Sequence, residues 1–242
     1  MATRNPVFNE KTIEQLRHEN VGQMAEAMTV HGAINKTGIL LILTVIGAAL
    51  SWSHPEISIS PLGLGIVIGN LILGFVIIFN RARAPLLAPI YAFLEGLLLG
   101  GISELASTRF PGVVANAMTA TFGILAGMLV LYNFGILRAT ETFKKVLSVA
   151  MIGVVISYVV NMVSSAFGHV MPYMHEGSPM SLIFSGFVIV VASLCFISDF
   201  DMIERAAQAK APKYMEWYAG FSVLLTIIWL YLEILRLLGR RR

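Results

Sequence analysis

Four acidic residues stand where a hydrophobic chain makes them expensive: Glu95 in YAFLEGLLLGGIS, Asp199 and Asp201 in LCFISDFDMIE, and Glu233 in LYLEILRLL. An ionised carboxylate among hydrocarbon costs on the order of 3 kcal/mol on insertion scales, so each needs water, a partner or a proton. Carboxylates supply hard oxygen ligands for calcium or other cations. They also exchange protons. Two carboxyls held close cannot both ionise cheaply, so one keeps a proton and the pair becomes a pH latch. Protonated, the acids share a hydrogen bond and close their helices together; ionised, they repel, admit water and attract cations.

Neighbouring residues separate the four. Asp199 and Asp201 are two positions apart, a turn of about 200° on a helix, so their side chains diverge. Asp201 shares a face with Glu204 and Arg205, where an ordinary i,i+4 ion pair is the plain alternative. Asp199 shares its side with Cys195, Phe196 and Ile203, without a local cation, and is the better candidate for a perturbed acid. Glu233 continues a stripe of Ser222, Thr226 and nearby Trp229, and Arg236, one turn further on, is a charge partner able to neutralise it. Glu95 has Tyr91 and Ser103 near its face, which favours a bundle interior over lipid. Asn70, Asn133 and the Ser157, Asn161, Ser165 series add polar groups that either join helices or line a wet interior. The candidate pH-sensing and ion-pathway residues are therefore Asp199, Glu233, Glu95 and Asp201, with Asp199 and Glu233 as calcium ligands. Asn161, Ser157, Thr226 and Asn70 are the candidate polar lining.

The elements that must position these groups are membrane spans. The chain of 242 residues is 57% hydrophobic and 13% charged, where a soluble domain carries about a quarter charged. Apolar runs long enough to cross a bilayer fall at 37–53, 62–79, 86–103, 113–137, 146–167, 180–198 and 217–238. Residues 1–36 read as a cytosolic tail without a cleavable signal, with a short amphipathic helix placing Ile13, Leu16, Met24 and Met28 near a membrane surface. Residues 37–238 are the transmembrane domain and 239–242 a basic end. Short connections marked by prolines leave no room for a soluble domain. Lys and Arg lie in the tail and in the 80–85, 138–145 and 199–216 loops, which puts those loops and the N-terminus in the cytosol. Arg240, Arg241 and Arg242 dissent, because seven spans place them outside. The net charge of +3 is dispersed in loops and does not call for nucleic acid. Cys195, the only cysteine, reads as a small core residue. Gly96/Gly100, Gly65/Gly69 and Gly123/Gly127 form GxxxG pairs that permit close helix approach.

The order of spans, EGLLLGGIS in the third, SDFDMIE ending the sixth and LYLEILRLL in the seventh resemble the Bax inhibitor-1 family. NPVF and MTVHGAINKTGILL resemble its bacterial branch. The resemblance implies an all-α integral membrane protein, a seven-transmembrane-helix bundle with a central last helix. It implies that an acidic pair from the last two helices senses pH for a calcium leak. Asp199 takes the sixth-helix place and Glu233 the seventh, with Arg81 as a latch. Glu233 replaces the aspartate usual there, and the Asp199–Glu233 linker is longer than in better-known members, so that Glu216 or Glu95 is an alternative partner for Asp199.

Three functions compete. The first is a pH-sensitive cation leak, calcium foremost, across a bacterial inner membrane. The second is a regulatory protein that binds a membrane protease or stress-response partner. The third, a proton-coupled transporter, would normally leave an inverted repeat, and none is evident. Without HExxH, GxSxG or a P-loop the chain does not read as an enzyme, and no cofactor is implied beyond calcium as a permeant ion.

Overall fold

The computed structural model describes residues 27–54, 56, 60–169, 171 and 178–240. The proposed amphipathic segment through Met24, the NPVF stretch, Arg241 and Arg242 lie outside the described residues. Among the described residues seven long helices follow in order: α1 Val30–Ser53, α2 Pro61–Phe79, α3 Ala84–Arg109, α4 Val113–Asn133, α5 Glu141–Ala166, α6 Pro179–Gln208 and α7 Met215–Arg240. A 3-10 turn, Arg81–Arg83, joins α2 to α3. All seven are long and apolar enough to cross a membrane. The protein is an all-α seven-helix membrane bundle, and α7 is the most enclosed of its spans.

Side chains are distributed inside out relative to a soluble fold. Leu62, Leu64, Ile68, Leu71, Ile72 and Phe75 of α2 are exposed, while Asp199, Ser222, Thr226 and Glu233 are buried. Lipid tails are as apolar as leucine, so exposure of such residues costs nothing in a bilayer, whereas polar atoms must find partners inside.

Two compact units divide the chain, one comprising the chain up to Arg109 with Asp201–Leu225, the other Phe110–Phe200 with Thr226–Arg242. In the first, α1 crosses α3 at backbone contact. A side chain at Gly47 would strike the Phe93 carbonyl, one at Gly96 the Thr44 carbonyl and one at Gly100 the Ala48 carbonyl. Thr44 Oγ1 uses this proximity to donate to Leu40 O at 3.0 Å and, across the crossing, to Ala92 O at 3.1 Å. Of the three GxxxG pairs only Gly96/Gly100 is used this way, for Gly65, Gly69, Gly123 and Gly127 face open space.

Helix α1 begins at Val30, inside the stretch read from sequence as tail, because its first turn is capped twice. Thr29 Oγ1 accepts from Gly32 N at 2.9 Å. Glu216 of α7 accepts from Thr29 N at 3.0 Å and from Thr29 Oγ1 at 3.1 Å. In a capping box the third residue of the helix is a glutamate that reaches back to the cap N–H. Here that residue is Gly32, and the Glu216 carboxylate fills the space its side chain would take. Lys213 Nζ lies 3.5 Å from the same carboxylate, and Lys36 stacks over Trp217 at 4.7 Å. Glu216→Ala should therefore leave the partly buried Thr29 N–H without this acceptor, at about 1 kcal/mol. Thermal unfolding in detergent should register the loss, and Gly32→Ala, which displaces the same carboxylate, should reproduce it.

Helix α6 extends ten residues past Ser198, so Asp199 and Asp201 lie within a continuous helix and not at its end. At 1.5 Å per residue its 30 residues span about 45 Å, longer than a hydrocarbon core of about 30 Å. At the far end of the hairpin, Arg240 donates to Ser181 O at 3.3 Å and Ser185 Oγ at 3.2 Å. That contact holds the basic C-terminal turn beside the start of α6, and α7 is long and apolar enough for a full span.

Candidate functional site

In the second unit two carboxylates are buried, Asp199 on α6 and Glu233 on α7. Asp199, 4% exposed, accepts a hydrogen bond from Thr226 Oγ1 at 2.7 Å. Glu233, 1% exposed, accepts through Oε2 from the Tyr158 hydroxyl of α5 at 2.6 Å and from Arg236 at 2.8 Å. Arg236 also donates to the Tyr158 hydroxyl at 3.0 Å and lies over its ring. The other oxygen, Glu233 Oε1, is buried with no hydrogen-bond partner among the described residues. Cys195 packs with Leu147 and Val191, its Sγ 3.5 Å from Met151 Sδ, as a core residue.

Hairpin register decides which groups meet. Asp199 lies nine residues before the end of α6 and Thr226 eleven residues after the start of α7, so antiparallel helices bring them level. Glu233 is seven residues beyond Thr226, about 10 Å further along the axis. The Thr226 contact of Asp199 and the Tyr158 and Arg236 contacts of Glu233 therefore lie two turns apart along α7. Among the described residues no group of three or more His, Cys, Asp or Glu is placed to hold a metal ion. Glu216, the alternative partner weighed for Asp199, is engaged with Thr29 instead.

In the first unit Glu95 accepts from Asn70 Nδ2 of α2 and from the Tyr91 hydroxyl one turn back on α3. Asp201 forms the i,i+4 ion pair with Arg205 at 2.9 Å, the plain alternative the sequence offered. Arg81, suggested as a latch, stacks over Tyr218 at 5.7 Å. The suggested lining is divided. Thr226 and Asn70 touch carboxylates, but Ser157 donates to the Gly153 carbonyl of its own helix at 2.8 Å, and Asn161 accepts from Met171 N at 3.2 Å, tying the end of α5 to the following loop.

Tyr158 escaped sequence reasoning. It follows Ser157 in an apolar span, and its phenol, the aromatic residue's polar tip, was the available signal.

Three carboxylates thus reside on three different spans, each engaged by a hydroxyl or amide donor from its own or a neighbouring helix. A family model described as Bax inhibitor 1 like matches residues 5–242. The chain belongs to the Bax inhibitor 1 like family. No curated protein matches it. Membership and seven apolar helices together make this a multi-pass membrane protein.

Proposed function

We propose that the protein is a pH-sensitive leak for cations, with calcium the foremost candidate, gated by protonation of intramembrane carboxylates. The observation that carries this reading is Asp199, an acid buried inside a membrane helix that accepts a hydrogen bond from the Thr226 hydroxyl of the next span. With a proton, such a group is tolerated in a closed, dry interior; without one, it draws in water and a positive ion. Arg236 supplies a counter-charge to Glu233, which acts as a fixed lock between α5 and α7. Flux accordingly rises as the pH rises through the titration of Asp199. The lysine- and arginine-rich loops favour a cytoplasmic N-terminus in a bacterial inner membrane.

The test is calcium entry into liposomes containing the purified protein, followed with an entrapped indicator across a pH series. A sigmoidal response above that of protein-free liposomes is expected. Flux equal to that of protein-free liposomes at every pH overturns the reading and leaves a regulatory membrane protein, which deletion of residues 1–24 would then probe by loss of partner capture. Deletion should stop short of Thr29, because that residue caps α1.

A further inference from the structure

The Asn70–Glu95 contact in the first unit is not accounted for by the gate in α6 and α7. Asn70 is 2% exposed, and its amide nitrogen is on the Glu95 carboxylate while its amide oxygen, Oδ1, is buried with no donor among the described residues. A buried carbonyl oxygen left without a donor costs on the order of 1–3 kcal/mol. Glu95 is the mirror image of that deficit. The groups acting on it among the described residues are Asn70 from α2 and Tyr91 from α3, neutral donors both, and no Lys, Arg or His is among them. An ionised Glu95 is thus held inside a span by neutral donors among the described residues.

One added proton removes the charge and supplies the donor that the amide oxygen lacks. The oxygen and nitrogen of an amide are interchangeable by a half-turn about its last bond, and which one faces a partner is set by the hydrogen bond available. If Glu95 takes up a proton, its O–H becomes a donor, and Asn70 turns over so that Oδ1 accepts it. Ionised, Glu95 faces Asn70 Nδ2 as an acceptor.

We propose that Glu95 and Asn70 form a proton-binding site between α2 and α3, separate from Asp199, in which the asparagine amide turns over with the protonation state of the glutamate. Tyr91, the one titratable side chain facing Glu95 among the described residues, is a positioning residue: its hydroxyl occupies part of the carboxylate in either state and leaves the remaining valence to Asn70. The site gives the first unit its own response to pH. It does not depend on the cation-leak reading, because it can be observed without any flux.

Infrared difference spectroscopy between acidic and alkaline pH, on the full-length protein in lipid, tests it. A protonated carboxyl gives a C=O band well separated from the carboxylate and amide bands. Expected are a pH-dependent carboxyl band that disappears in Glu95→Gln, shifts in Asn70→Leu, where the acceptor of the acid proton is gone, and persists in Asp199→Asn. Glu95→Gln preserves shape and keeps a hydrogen-bonding partner for Asn70, and retention of the helical circular-dichroism signal certifies its fold. Difference spectra with the same carboxyl bands in wild type and Glu95→Gln overturn the proposal. So does a Glu95 band that is unmoved in Asn70→Leu, which would leave an acid that titrates without the amide.

Discussion

Asp199→Asn is expected to flatten the pH dependence of calcium flux in liposomes, leaving the low value of the protonated state at every pH. Asparagine has the size of aspartate and retains an oxygen to accept the Thr226 hydroxyl, whose bond at 2.7 Å joins α6 to α7 at this level. What the substitution removes is the charge and its titration. A single ionising group changes its occupancy about tenfold per pH unit on its limiting slope, so a wild-type response spread over about two units should collapse to a line. Thr226→Val provides an internal check. It deletes the donor without deleting the acid, so it should move the midpoint of the pH response and keep the response itself. Equal pH responses in wild type and Asp199→Asn would assign the gate elsewhere, with flux still real.

Much of this was legible in the chain. Seven apolar runs separated by proline-marked connections gave seven helices, since length and hydropathy are local properties that a bilayer selects directly. Glu95, Asp199 and Glu233 stood out in the sequence for a similar reason: a carboxylate within hydrocarbon is conspicuous whatever its partner. The partners were less so. An apolar window ends where hydrophobicity ends, but α6 runs on through DFDMIERAAQ, and those added turns, with the short connection to Met215, place Asp199 level with Thr226 and not with Glu233. Register between two helices depends on where both begin and end, and hydropathy does not report that. Glu216 shows another limit. Its partner lies 187 residues away in sequence, at a helix start whose third residue is glycine, and only the folded backbone reveals that the missing capping glutamate comes from another helix. Local pairs such as Asp201–Arg205 and Glu233–Arg236 were readable from helical spacing alone.

The Glu233–Arg236–Tyr158 cluster yields the second large effect. Glu233 is enclosed, whereas about two-fifths of the Arg236 side chain is exposed, so the two ends of this ion pair are not equivalent. Removing the cation with Arg236→Ala leaves a buried carboxylate whose Oε1 has no partner among the described residues and whose Oε2 keeps only the Tyr158 hydroxyl. Breaking a fully buried pair in this way costs about 3–5 kcal/mol; with one partner reaching the surface, about 2 kcal/mol is expected. Removing the anion with Glu233→Gln should cost well under half as much, because the freed guanidinium turns outward and the new amide oxygen still accepts from Tyr158. The double variant should then sit close to Glu233→Gln, so that most of the cost of Arg236→Ala disappears once the charge it neutralised is gone. Denaturant or thermal unfolding of the four proteins in one detergent measures the cycle. Equal costs for the two single variants would mean that charge neutralisation by Arg236 is not what holds this cluster, and that the α5–α7 contact rests on the Tyr158 hydroxyl.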